Sequence, residues 1–353
     1  MTRLRRSNCA APGITRRGRG RGFEYLDPAG ERIDDPEVLE RIAELAIPPA
    51  WKEVWICMDA LGHLQATGID AAGRKQYLYH ERWRVHRDRL KFGAMLAFGK
   101  ALPRLRRRVN RDLAWAGPAR LGLDDLNRKR VLACSVRLLD LGFFRIGSED
   151  YAERNESYGL TTVLRDHVTI VDSEVVFDFP AKSGQRRVQG ITDRDALAVV
   201  AALKRRRSGS QLLAYRTPDG WVEVRAEDVN AYIKQGSAGD FTKDFRTWNA
   251  TILAAVALAN ADERGRTRAG REREVSRAVK TVATYLGNTP AVCRASYVDP
   301  RVIDRYHAGV TIARTVADLP PAGPDLANAA VRRRIEAAVL ELLTPADAHG
   351  KAA

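Results

Sequence analysis

Four side chains, met in order along the chain, carry the chemistry that attack on a phosphodiester requires. Such an attack needs a nucleophile, cations that hold the non-bridging oxygens as charge develops, and an acid for the departing oxygen. Tyr297, in "LGNTPAVCRASYVDP", offers a phenolic nucleophile. Arg145, in "FFRIGSEDY", follows a helix stop and precedes Gly147-Ser148, where the next helix should start. A guanidinium there can approach a phosphate closely and bidentately. Lys182, in "AKSGQ", stands beside a two-residue hairpin turn, from which a flexible ammonium can reach into a groove; Arg246, in "TKDFRTW", lies early on a helix. Taken singly, each has a bland reading: a solvated cation among 59 Lys and Arg, a solubilising turn lysine, an ion pair with Asp244, a half-buried tyrosine. It is their order and contexts together that favour the chemistry.

The charge says what such a site would act on. The chain of 353 residues carries a formal charge of +15. Arg3, Arg5, Arg6, Arg16, Arg17, Arg19 and Arg21 crowd the first 22 residues with no carboxylate among them. Clustered arginine seeks polyanions, and nucleic acid fits best because its phosphates release counterions. An anionic membrane is disfavoured, since the arm has no apolar face to insert. No apolar run approaches a membrane span and no secretory leader is apparent, so the expected setting is the cytoplasm, at the nucleoid. Cys9, Cys57, Cys134 and Cys293 are scattered, without metal-ligand or disulfide spacing. No Walker loop, G-x-G-x-x-G or H-E-x-x-H occurs. The expectation is therefore no cofactor, no metal and no nucleotide.

The elements that must position these residues read as an α+β fold. A basic arm over 1–21, expected to be flexible, leads into a small antiparallel β-sheet domain with short helices over 22–90. There "FEYLDPAGERI" reads as strand, turn, strand, and "EVLERIAELAIPPAW" as a helix stopped by prolines. "EVWICMDALGHLQATGID" reads as two strands, followed by "GRKQYLYHERW". A larger, mainly helical domain over 91–345 contains a three-stranded antiparallel meander made of "HVTIV", "EVVFDFPAK" and "QRRVQGI". Asp124 and Thr192 are candidate helix caps and Gly142 and Gly287 candidate stops. The polar stretch 261–274 reads either as a loop or as a helix extension, and the tail closes with a helix near 325–343.

The succession R-I-G, then K-S-G on a hairpin, then K-D-x-R-T-W, then G-N-T-P with S-Y resembles the type IB DNA topoisomerases, in their compact bacterial and poxvirus-like branch. The resemblance runs from "GRGFEY" to Tyr306. It implies a tyrosine recombinase/topoisomerase IB-like catalytic fold in which Tyr297 forms a 3′-phosphotyrosyl link to duplex DNA. Arg145 and Arg246 would hold the non-bridging oxygens, and Lys182 would protonate the leaving 5′ oxygen. Asn288, where many relatives have His, would donate to a phosphate oxygen without shuttling a proton. The resemblance further implies DNA contacts by Arg74 and Lys75 on phosphates and by Gln76, Tyr77 and Tyr79 facing the duplex, with Tyr151, Asn155 and Ser157 as further contacts. The alternative is an ordinary strand in which Tyr77 and Tyr79, on one face, pack on the core. The implied partner is double-stranded DNA, gripped by a monomeric clamp. Two other classes remain in view. A tyrosine recombinase would set His at position 243, where this chain has Lys243, and a non-enzymatic DNA-binding protein would need the charge alone.

Overall fold

The computed structural model describes residues 3–115, 121–237, 239, 241, 244–261, 267–317 and 328–344, without the side chains of Asp150, Tyr151, Asn155 and Ser183. Lys243 and the side chains of Tyr151 and Asn155 therefore lie outside the described residues. The chain divides into two compact units, Met1–Phe92 and Gly93–Ala353.

The first unit comprises β1 (Ile14–Arg19), β2 (Gly22–Leu26), α1 (Pro36–Glu44), β3 (Lys52–Ile56), β4 (Leu64–Ile69) and β5 (Lys75–Tyr79). The strands form one antiparallel sheet in the order β2-β1-β3-β4-β5. Asp35 caps α1, accepting from Glu37 N at 2.9 Å, with Pro36 in the first turn where its missing N–H costs nothing. Ile42, Val38 and Leu45 of that helix pack on Ile14, Val54, Ile56 and Ala66 to make the core. Two turns repeat one device. Asp27 Oδ1 accepts from Ala29 N and Glu31 N, and Asp70 Oδ1 accepts from Ala72 N and Arg74 N. Each aspartate is followed three residues on by a glycine at positive φ (Gly30 at 85°, Gly73 at 74°). Past the first turn the return strand shrinks to a bridge between Leu26 and Arg32.

The structure differs from the expected flexible arm. Residues 14–19 are a strand inside the sheet, and the segment before them is tied down as well. Ser7 Oγ donates to Leu64 O at 2.9 Å, and Trp55 Nε1 donates to Ala11 O at 2.9 Å. Ile14, buried to 3% exposure, supplies the apolar anchor. The arginines find partners close by: Arg16 donates to Trp51 O at 2.7 Å and stacks on Phe23, and Arg17 meets Glu24 at 2.5 Å. A basic composition forces disorder only where the guanidiniums have nothing to bond to.

In the second unit α2 (Glu81–Leu113), within which the division between units falls, is followed by α3 (Arg128–Gly142), α4 (Glu149–Asn155), β6 (Val168–Val171), β7 (Glu174–Ala181), β8 (Gln185–Ile191) and α5 (Arg194–Lys204). Then come β9 (Ala214–Thr217), β10 (Gly220–Glu223), α6 (Ala226–Ser237), α7 (Asp244–Ala259), α8 (Arg268–Leu286), α9 (Pro290–Ser296), α10 (Pro300–His307), α11 (Ala313–Ala317) and α12 (Ala329–Leu343). β6, β7 and β8 form the three-stranded antiparallel meander. The residues described from 267 onward resolve the second half of the 261–274 stretch as helix α8. Two caps move. Asn127, not Asp124, caps α3 by accepting from Arg130 N, because Leu126 is already buried in the turn before it. Asp193, not Thr192, caps α5, accepting from Ala196 N at 2.9 Å. The β9–β10 hairpin, around Pro218-Asp219-Gly220, was not anticipated.

The apolar helices α3 and α7 are buried along most of their length. Trp248 of α7 lies flat against Gly99 of α2, where a Cβ would fall 2.8 Å from the ring. Under that contact sits a charged core. Arg106 pairs with Asp140 at 2.8 Å and Glu336 at 2.6 Å, and Arg332 pairs with Asp140 at 2.7 Å. Trp248 Nε1 and Asn249 join through Glu336 and Arg332. Burial alone would raise the Asp140 carboxyl, but Arg106 and Arg332 outweigh it and hold it at about 2. The network fixes α12 and α2 to the two helices that lead into the candidate site. Among the described residues no group of three or more His, Cys, Asp or Glu is arranged to hold a metal ion, and no helix is long and apolar enough to cross a membrane.

Candidate active site

Arg145 is delivered by the way α3 ends. Phe143, just past the helix, adopts a left-handed conformation (φ 55°) that turns the chain sharply. The next segment is stapled to residues 159–161: Leu160 N donates to Arg145 O at 2.8 Å and Thr161 N to Ile146 O at 2.8 Å. The fit requires glycine twice. Gly147 has φ 96°, and a Cβ on Gly159 would press on the Gly147 backbone and stand 2.9 Å from Arg145 O.

Asn288 and Tyr297 come from the sequence "LGNTP…SY". Gly287 ends α8 in the left-handed region (φ 60°), and Asn288 N turns back to donate to Ala283 O at 3.0 Å. Thr289 then caps α9 by accepting from Val292 N, with Pro290 in its first turn. Helix stop and helix start thus leave Asn288 alone at the corner. Tyr297 closes α9, its N donating to Cys293 O at 2.9 Å, while Thr251 Oγ1 on α7 donates to Tyr297 O at 3.3 Å. The backbone that carries the phenol is thereby fixed to the helix that carries Arg246.

The structure brings four of the five expected groups together. Arg145 Nη2 donates to Asn288 Oδ1 at 2.8 Å. Arg246, 6% exposed, stands 5.2 Å over the Tyr297 ring and hydrogen-bonds its side chain. It also donates to Phe143 O and, at 2.9 Å, to Leu286 O. Burial, then the neighbouring Arg145, lowers Arg246 from 12.5 to about 10, with the Tyr297 phenol partly offsetting them. It stays cationic at neutral pH, and holding it so costs the folded state on the order of 3 kcal/mol. Two buried donors, Arg246 Nε and Asn288 Nδ2, have no partner among the described residues. Crowded cations with unpaired donors are a site prepared for an anion with several oxygens.

A third guanidinium belongs to this cluster and was missed in the sequence. Arg187, on β8, is lowered to about 10 by burial and by Arg246 and Arg145. The sign that could have found it is the alternation in "QRRVQGI". Arg187 and Gln189 are half-buried, whereas Arg186 and Val188 are exposed.

Lys182 is exposed, on the 3-10 turn Lys182–Gly184 that joins β7 to β8. Gln185, which begins β8, has its side-chain oxygen 4.0 Å from where a Cβ of Gly287 would lie, so this end of the hairpin reaches the Asn288 corner.

In the first unit, β5 is an edge strand, and its alternation settles which residues share a face. Tyr77 and Tyr79 are 49% and 39% exposed, with rings stacked 6.3 Å apart and Lys75 Nζ 5.9 Å from the Tyr77 centroid. They do not pack on the core; Leu78 does. Gln76 points the other way, its Nε2 donating to Asp70 Oδ2 at 2.8 Å, so it does not share the tyrosine face. Arg74 pairs with the same carboxylate at 2.9 Å. Ser157 is buried to 7% exposure, and its Oγ has no hydrogen-bond partner among the described residues.

A tyrosine held against guanidiniums and an amide, with spare donors around it, is an arrangement suited to an anion with several oxygens. A sequence profile described as the catalytic core of eukaryotic DNA topoisomerase I matches residues 80–315, and one described as the N-terminal domain of bacterial DNA topoisomerase IB matches residues 22–70. The chain is 31% identical over 306 residues to the DNA topoisomerase 1B of Acanthamoeba polyphaga mimivirus, covering 83% of this chain and 87% of that one. It is 19% identical over 283 residues to the DNA topoisomerase 1B of Vaccinia virus (79% and 84% covered), and 18% identical over 317 residues to the DNA topoisomerase 1 of Rabbit fibroma virus (85% and 94%). The chain belongs to the type IB DNA topoisomerase family, isomerases that act on DNA.

Proposed function

We propose that Tyr297 is the nucleophile of a supercoil-relaxing transesterification, and that Arg145, Arg246, Asn288 and Lys182 complete its site. The observation that carries this reading is the convergence of Tyr297, Arg246, Arg145 and Asn288 around unpaired buried donors. The phenolic oxygen loses its proton to water and attacks the phosphorus, and a bond to the 3′ phosphate forms as the bond to the 5′ oxygen breaks. Arg246, Arg145 and the Asn288 amide neutralise the non-bridging oxygens, whose charge offsets the repulsion that lowers Arg246. Lys182, from the turn above the Asn288 corner, gives its proton to the departing 5′ oxygen. The phosphotyrosyl link keeps the energy of the phosphodiester, so the 5′ hydroxyl can return and reseal the strand after the free end has turned.

Duplex DNA is held, in this reading, by a monomer acting as a clamp, with Tyr77, Tyr79 and Lys75 on an exposed strand and a net charge of +15. Its place is the nucleoid in the cytoplasm, in keeping with four free cysteines. Incubation with supercoiled plasmid in EDTA without nucleotide tests the reading. Relaxed topoisomers are expected; supercoils that persist in the presence of bound protein would leave only a DNA-binding role.

A further inference from the structure

Arg187 is spent on protein, and its partners form a pattern. Its Nη1 donates to Tyr285 O at 2.6 Å, and its Nη2 to Gly142 O at 3.2 Å and Gln189 Oε1 at 3.0 Å. Arg246 donates to the next carbonyl in each case, Leu286 O and Phe143 O. Two guanidiniums from different elements thus bridge the same pair of helix ends, one residue apart. The carbonyls at a helix C-terminus have no intrahelical donor and carry the negative end of the helix dipole, so each is a favourable seat for a cation. The end of α3 leads three residues on to Arg145, and the end of α8 leads two residues on to Asn288. The strand that carries Arg187 begins at the turn bearing Lys182. Gly287 is part of the fit, since a Cβ there would stand 3.2 Å from Arg187 Nη1.

We infer that Arg187 is a positioning residue for the cleavage step, fastening the Lys182 hairpin to the ends of α3 and α8 so that Lys182, Arg145 and Asn288 address one phosphate. This rests on the roles given above to Tyr297 and Lys182. Three of its N–H groups go to carbonyl oxygens, and through these neighbours it places the groups that face the phosphate. Arg186, the other arginine of β8, is exposed and pairs with Asp178, so the bridging geometry belongs to Arg187 and is open to test. A misplacement of about 1 Å in such a site costs on the order of a hundredfold in rate.

The experiment is single-turnover adduct formation on a linear duplex, comparing wild type with Arg187→Met, Arg187→Lys and Lys182→Ala. Each is assayed on an ordinary phosphodiester and on a 5′-bridging phosphorothiolate, whose leaving thiolate needs no proton. Arg187→Met is expected to cleave the phosphodiester about a hundredfold more slowly, with DNA affinity within about threefold of wild type. Arg187→Lys keeps the charge but cannot bridge both carbonyls, and is expected to be about tenfold slow. For both, the ratio of phosphorothiolate to phosphodiester rate should rise above wild type, toward that of Lys182→Ala. A variant that is merely destabilised would not move that ratio. Should Arg187→Met fail to fold, Arg187→Lys decides alone. Cleavage by Arg187→Lys at the wild-type rate, an unchanged ratio, or a loss confined to DNA affinity would each overturn the inference. A wild type that forms no adduct, or a Lys182→Ala defect that the phosphorothiolate does not repair, would instead overturn the roles on which it rests.

Discussion

The edge strand β5 and the Tyr297 cluster both present cations and tyrosines, yet they do so under opposite electrostatic conditions. On β5 the stacked rings of Tyr77 and Tyr79 stand in solvent beside Lys75, and Arg74 is satisfied by Asp70. Around Tyr297, Arg246 is desolvated and crowded by Arg145, and its Nε has no partner among the described residues. Exposed charges cost little and gain little, so they suit reversible grip on a polyanion. Desolvated charges pressed together cost stability until an anion arrives, so they suit stabilising charge that exists only in a transition state. The lesson is that a cation's burial, more than its presence, separates holding DNA from acting on it.

Substitutions on the two sides should separate these roles. Short of removing the phenol itself, the largest effect expected is Lys182→Ala, with adduct formation about a thousandfold slower and repaired by a 5′-bridging phosphorothiolate, read in single-turnover assays. Next, Arg145→Gln should slow cleavage about a hundredfold while its thermal midpoint stays equal to or above that of wild type, because one of the crowded charges is gone. A clear fall in that midpoint, read by calorimetry, would show that the cluster is not repulsive and would erase the contrast with β5. On the other side, Tyr77→Ala with Tyr79→Ala should weaken DNA binding by about tenfold and leave the cleavage rate of bound DNA unchanged. Titrations at several salt concentrations should show Lys75→Ala lowering the salt slope by about one, and no change in slope would remove Lys75 from the phosphates.

The last effect is one of stability and not of rate or binding, and it concerns the charged core. Asp140 is held at about 2 against its ordinary 3.8, so its contribution is complete above about pH 4 and is lost as the pH falls toward 2. It amounts to on the order of 2 kcal/mol. Denaturant titrations across that window should find a steeper loss in wild type than in Asp140→Asn; equal slopes would mean that the carboxylate titrates normally.

The parts of this arrangement that were legible in the sequence are those written in local turn chemistry. "LGNTP" contains a left-handed glycine, a threonine cap and a first-turn proline, and these alone place Asn288 at a corner. The meander of β6, β7 and β8 was readable from alternation and short turns. What escaped depends on packing and on partners outside the local turn. The strand "ITRRGR" looks like a basic tail until Trp51, Glu24 and Phe23 are found to receive its arginines. Asp124 lost the capping role to Asn127 because burial of Leu126 set where the helix begins. Arg187 escaped because the carbonyls it seats on, Gly142 O and Tyr285 O, lie 45 and 98 residues away in sequence.

One comparison addresses the central assignment directly: wild type and Tyr297→Phe, each mixed with end-labelled duplex DNA, stopped with denaturant and resolved by size. Wild type should carry label at the mass of the protein, while Tyr297→Phe should carry none and yet shift the same duplex on a native gel. Label retained by Tyr297→Phe would place the covalent bond on another side chain and contradict the account.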